Sequence, residues 1–205
     1  MDYWNLNVIT KRNRYPLPLI EKAIARIEGC KYLTKIDIIL AFNRIRMDPE
    51  HKNATSFITS FGMYCYRVMP FGLINGLVIW QNYINDVLFE YLNVFCQTYV
   101  DNILIYSKTC KKHYRHVKLV LNKLHQAGLQ ANIKKCEFDV EQTRFLGIIV
   151  SSTGIKMDFS KVEAIHNWPR FTNLKQTQAF VGFCNFYWRF ICNFFRLVCL
   201  LTLLT

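Results

Sequence analysis

The chain has 205 residues, 52% of them hydrophobic and 20% charged, which supplies enough apolar side chain for a packed core and excludes an intrinsically disordered composition. At about 150 residues per domain it can hold one large domain or one and a half, not a long array of modules. Lysine and arginine number 26 against 14 acidic residues, giving a formal net charge of +12 and a pI near 9.4, so a polyanion is the natural partner to expect.

Along the chain, Pro16 and Pro18 hold an extended YPLPLI run, because each proline pushes its predecessor toward β or polyproline geometry. Residues 19–28 place Ile20, Ile24 and Ile27 on one helical face, with Gly29 as a stop. KYLTKIDIILAF, residues 31–42, is rich in β-branched and aromatic residues and reads as a buried strand that contains a single acid, Asp37. Two strands turning near Gly62 are expected over 55–69, then a break at PFGL (70–73) and a helix from about Leu77 to Leu92. FCQTYVDNILIYSK, residues 95–108, has two strand-like arms around Asp101-Asn102, a hairpin signal that puts Asp101 at a strand tip. From Lys111 to Ala127 the residues Tyr114, Val117, Val120, Leu121 and Leu124 recur at helical spacing, with Lys111, Lys112, Arg115 and Lys118 on the other side. Two further strands follow around 136–140 and 143–151, then a turn at 152–154 and helical texture from 160 to 195.

Eight cysteines without a CxxC pair, and no signal-peptide pattern, argue against a disulfide scaffold or a zinc ribbon. Cys110, His113 and His116 come nearest to a metal cluster, but their i, i+3, i+6 spacing drifts around a helix instead of converging on one ion. The longest apolar stretch, Leu197 to Leu204, falls far short of the roughly 18 residues that a membrane span needs, so a soluble, intracellular product without a membrane partner is expected.

The order strand, helix, hairpin, helix, strands is that of a split βαβ, α+β layer arrangement with helices on one sheet face. A lone carboxylate inside an apolar strand is costly unless neutralised or compensated by a cation. If the strands carrying Asp37 and Asp101 lie side by side, both carboxylates converge on one point and suit Mg²⁺, two ions of which can activate a hydroxyl and stabilise a leaving group. Spacing alone equally allows Asp37 to end a strand and Asp101-Asn102 to make a turn.

Six segments, DYWNLN (2–7), RYPLPLI (14–20), KYLTKIDIILAFNRIRM (31–47), VMPFGLINGLVIWQ (68–81), TYVDNILIYSK (98–108) and FLGIIVSSTGIKMD (145–158), resemble in order and spacing the reverse transcriptase of gypsy-type LTR retrotransposons. VEAIHNWP (162–169) and FVGFCNFYWRFI (180–191) are similar to the segment that follows it. The resemblance implies an RNA-directed DNA polymerase palm with residual fingers over 1–155 (fingers 1–30 and about 43–75) and a helical thumb or connection segment over 156–205. It implies Asp37, Asp101 and Asn102 as catalytic positions, with Asp37, the Ile38 carbonyl and Asp101 on two Mg²⁺ ions. Phe42, Pro70, Phe71, Gly72 and Lys135 map to the nucleotide site, and Phe145, Leu146 and Gly147 to the hairpin that grips the primer. Phe42 could equally be core, and FLG a buried strand. The implied partners are an RNA or DNA template-primer and a deoxynucleoside triphosphate, with fingers or RNase H supplied by a missing chain.

Three departures follow. Asn102 stands where the family carries a second hairpin aspartate, so the triad loses a charge and metal affinity should drop. The family's basic fingers strands would fall before Met1, so their lysine and arginine donors are expected to be missing, and no RNase H segment is expected after the resemblance ends. NGLVIWQ (75–81) replaces small residues with Leu77, Val78, Ile79 and Trp80, which predicts repacking strain of roughly 1–3 kcal/mol. Weak or absent activity is therefore expected, and the alternative is a non-catalytic nucleic-acid binder using Lys and Arg, with Tyr64, Tyr66 and Phe71 available for stacking.

Overall fold

The structure, a computed structural model, describes residues 2–15, 25–27 and 29–202. Helix α1 (Trp4–Ile9) is followed by strand β1 (Tyr32–Asp37), the short strands β2 (Phe57–Thr59) and β3 (Gly62–Tyr64), and helix α2 (Gly76–Val87). Then come β4 (Cys96–Tyr99), β5 (Asn102–Ser107), the long helix α3 (Cys110–Gln126), and strands β6 (Glu137–Val140), β7 (Gln142–Phe145), β8 (Ile148–Ser151) and β9 (Gly154–Met157). Helices α4 (Phe159–His166), α5 (Leu174–Phe186) and α6 (Phe194–Thr202) complete the order.

β4, β5, β1 and β6 form one antiparallel sheet in that order, β2 pairs with β3, and β7, β8 and β9 make a second antiparallel sheet. Side chains of a strand alternate between faces, so β1 and β5 divide their residues between two cores. Ile36, Ile103 and Ile105 face one way and meet Trp80, Ile84 and Leu88 of the α2 region and Val120 and Leu124 of α3. Leu33, Leu104 and Tyr106 face the other way and meet Phe145, Ile148 and Val150 of the second sheet together with Tyr187. Asp37 shares the parity of Leu33 and therefore lies on the face away from the two helices, which is the α+β palm arrangement expected.

Several boundaries differ from the expectation. The strand over 31–42 stops at Asp37, and Phe42–Arg44 form a single 3-10 turn. Helix α2 ends at Val87 instead of Leu92. The run 143–151 is two strands, because Leu146 and Gly147 both have positive φ, +56° and +76°, and turn the chain between them. β9 was not expected. Most of the helix over 19–28 lies outside the described residues, of which 25–27 are helical. Among the described residues no helix is long and apolar enough to cross a membrane.

Candidate active site

Asp37 is the last residue of β1 and pairs in register with Asn102, the first residue of β5. Tyr99 pairs with Asn102, so the two-residue loop of the hairpin is Val100-Asp101 and not Asp101-Asn102 as the sequence suggests. The Ile38 N–H donates to the Asp101 carbonyl at 3.0 Å, tying the end of β1 to the hairpin tip. Asp37 and Asp101 thus line one open cleft of about 300 Å³, together with Ile38, Phe42, Phe71 and Lys135.

Burial pushes the Asp37 carboxyl up, Lys135 opposes that with its Nζ 3.8 Å from Oδ2, and the like charge of Asp101 raises it further. Lys135 is well exposed, so this ion pair compensates only in part. The Asn102 amide Nδ2 donates to Asp101 Oδ1 at 3.0 Å. Around Asp37 the backbone is held on both sides, its N–H by Cys136 Sγ at 3.5 Å and its carbonyl by the Asn132 N–H at 2.8 Å.

The Asp101 tip has support that the sequence did not reveal. Val100 has φ +53°, a conformation costly for a β-branched residue. The buried Gln81 accepts from the Val100 N–H at 2.8 Å, and the buried indole of Trp80 donates to the Val100 carbonyl at 2.6 Å. Gln81 Nε2 also donates to Thr98 Oγ1 at 3.1 Å and Asn85 Oδ1 at 2.9 Å. Helix α2 therefore holds the backbone on both sides of the strained Val100, its N–H and its carbonyl. The recurrence of Trp80, Ile84 and Leu88 every four residues was the available signal. The expected overpacking does not follow for all of the bulky residues, because Leu77 and Ile79 stay 38% and 39% exposed and, of Leu77, Val78, Ile79 and Trp80, only Trp80 is fully buried.

The remaining sequence-predicted positions divide into two groups. The Phe42 and Phe71 rings lie 5.0 Å apart at the cleft, Phe71 being 63% exposed. Pro70 is buried, and Gly72, with φ +97°, approaches Tyr3 closely and accepts from Asn7 Nδ2 at 2.8 Å, so neither lines the cleft. Phe145 is 3% exposed in the second core, and Leu146-Gly147 turn against Tyr187. His113 and His116 are engaged elsewhere, bonded to Thr34 and Ser107 at 2.8–3.0 Å. A larger cavity, about 380 Å³ between α1 and the segment 45–79, is mostly apolar. The smaller cleft is taken as the site because carboxylates, a lysine and aromatic faces meet there.

A carboxylate at the end of a central strand and a second at the tip of the adjoining hairpin, on a helix-backed antiparallel sheet, make a polymerase-palm arrangement. The chain matches the family described as reverse transcriptase (RNA-dependent DNA polymerase) over residues 1–150 and belongs to that family. It is 39% identical over 194 residues to the retrovirus-related Pol polyprotein from transposon 297 of Drosophila melanogaster, covering 95% of this chain and 18% of the relative. It is 36% identical over 205 residues to that from transposon opus of the same organism, covering 100% and 20%. To the transposon Tf2-7 polyprotein of Schizosaccharomyces pombe it is 38% identical over 193 residues, covering 93% and 14%. The chain thus spans about a fifth or less of the length of these relatives. A foamy viral protease-reverse transcriptase in complex with RNA/DNA hybrid superposes with a TM-score of 0.84 at 22% identity, covering 98% of this chain and 27% of that one. Its dRH form in complex with ds DNA gives 0.89 at 22%, covering 98% and 35%. These structures share the fold.

Proposed function

We propose that the chain is the palm-bearing part of a gypsy-type reverse transcriptase whose cleft is built for template-directed nucleotidyl transfer and whose chemistry is weakened by Asn102. Residues 1–155 form the palm with residual fingers and 156–205 a thumb or connection segment. The observation that carries the reading is the meeting of Asp37 and Asp101 in one cleft across adjoining strands. Their hard oxygen donors fit Mg²⁺, and a cation there offsets the burial and the neighbouring Asp101 charge that raise the Asp37 carboxyl. Bound Mg²⁺ supplies Lewis-acid stabilisation of charge on a reacting phosphate.

The chain's own groups do the rest. Asp37 and Asp101 would hold the cation, with Ile38 lining the same cleft. Asn102 brings an amide oxygen but no charge, and its Nδ2 occupies an Asp101 oxygen. The Phe42 and Phe71 rings form a wall against which a nucleotide sugar packs, and Lys135 is placed to offer a proton or positive charge to a leaving pyrophosphate. Template-primer and deoxynucleoside triphosphate are the partners of this reading.

Primer extension on an RNA template with Mg²⁺ tests it. The chain as written is expected to extend little, Asn102→Asp to extend at least about tenfold more, in line with the cost of perturbing a metal site, and Asp37→Asn not at all. Robust synthesis by the unmodified chain refutes the weakening by Asn102, and equal synthesis by Asp37→Asn refutes the site. The second reading, a binder without catalysis, is favoured by the Asn102 to Asp101 hydrogen bond, and predicts that Asn102→Asp binds template-primer yet extends nothing.

A further inference from the structure

Helix α3 carries five lysines and arginines and no acidic residue over 17 positions. Its His113, Val120 and Leu124 are buried against the sheet. The helical period of 100° per residue therefore turns Lys111, Arg115, Lys118 and Asn122 to the centre of the opposite face, with Lys112 and Tyr114 on its flanks. All six are exposed, Tyr114 by 75%. Lys123 pairs with Glu90 at 3.4 Å, but among the described residues Lys111, Lys112, Arg115 and Lys118 form no ion pair.

This arrangement is unfavourable for the helix by itself. Like charges three and four residues apart repel, as in Lys111 with Arg115 and Arg115 with Lys118. Lys111 and Lys112 also oppose the positive end of the helix dipole, since the first turn holds no acid. A polyanion laid along the face reverses both penalties. Lys111 to Lys118 spans about 10 Å at 1.5 Å per residue, the length of about three phosphates of a strand rising 3.4 Å per nucleotide.

We propose that the outer face of α3 is a second binding surface for single-stranded nucleic acid, on the opposite side of the sheet from Asp37. Thr34 of β1 bonds to His113 of α3, whereas Asp37 has the other parity, so the two surfaces are separated by the sheet. Tyr114 beside the basic row gives an unpaired base a ring to stack on, which a duplex does not use. A lipid surface fits less well, because the face has no broad apolar stripe to insert.

The test is fluorescence anisotropy of a labelled 20-residue oligo-dT with the full chain over 50–300 mM salt. Replacing Lys111, Lys112, Arg115 and Lys118 together by Gln is expected to lower the slope of log affinity against log salt by about 2–3, at 0.7 per phosphate contact. Tyr114→Ala is expected to lower affinity by about 5- to 100-fold with the slope kept. None of Lys111, Lys112, Tyr114, Arg115 and Lys118 lines the cleft of Asp37 and Asp101, so failure of primer extension and failure of this binding test are separable. Protection of Lys111, Lys112 and Lys118 from acetylation by added oligo-dT, read by mass spectrometry on the unmodified chain, gives a check free of refolding effects. An unchanged slope in the quadruple variant, unprotected lysines, or tighter capture by phosphatidylserine vesicles than by oligo-dT overturns the proposal.

Discussion

Val100 shows how a single residue can be held where its own chemistry resists. A β-branched side chain at φ +53° is disfavoured, so the conformation persists only because neighbours over-determine it. Gln81 and Trp80 do so by taking the N–H and the carbonyl of the same residue, and Asp101 follows directly in the chain. Gln81→Leu keeps the volume but leaves the Val100 N–H and Thr98 hydroxyl without that partner inside the core. The expected cost is about 1–3 kcal/mol of unfolding free energy in a denaturant titration. Because the clamp sets the position of Asp101, the same variant should lose any Mg²⁺-dependent stabilisation. A variant as stable as the original chain, with its metal response intact, would show that the hairpin holds its own shape.

Elements in this fold depend on contacts that their own sequence does not announce. The run TRFLGIIVS reads as one strand because Leu146-Gly147 lacks the Asn or Asp that marks a tight turn, yet it folds as β7 and β8. A Cβ at Gly147 would come within 2.8 Å of Tyr187 Oη, and φ there is +76°. Gly147→Ala is thus expected to lower stability by about 1–3 kcal/mol, part of which Tyr187→Phe restores by removing the oxygen and leaving only the backbone strain. The same lesson applies to the site: Asp37 was legible as an acid in an apolar strand, whereas the true loop, Val100-Asp101, was hidden because its support comes from α2. Helix α3 was legible from its apolar period, but the bonds of His113 and His116 to Thr34 and Ser107 depend on pairing with the sheet. Burial holds the pKa of both histidines below the ordinary value, helped at His116 by Lys112 and Arg115. Their unfolded forms bind protons first, so stability is present above about pH 6.5 and is lost as pH falls below it. Thermal melts between pH 5 and 8 should show that loss, and His113→Asn with His116→Asn should flatten it.

Across the whole molecule the sheet separates two kinds of surface. One face is closed by α2 and α3, and the other ends in the cleft where Asp37 and Asp101 oppose each other. Asp37 has a raised pKa, so in the window from the ordinary carboxylate value up to its folded one the native chain binds more protons than the unfolded chain. Stability therefore falls as pH rises through that window, and the ionised carboxylate remains a net cost at neutral pH unless a cation sits beside it. A ligand that binds only the folded chain adds RT ln(1 + [L]/Kd), about 2.7 kcal/mol at a hundredfold excess over Kd. Mg²⁺ should accordingly raise the melting temperature at pH 7.5 and have little effect near pH 4, where protons compete for the same oxygens. Asp37→Asn should melt higher than the unmodified chain at pH 7.5 without Mg²⁺ and respond to the ion hardly at all. The comparison uses melting curves alone, so it reads the charge balance of the cleft whether or not Asn102 permits synthesis. A metal response that survives Asp37→Asn would place the cation elsewhere and remove the physical reason for an acid at the end of β1.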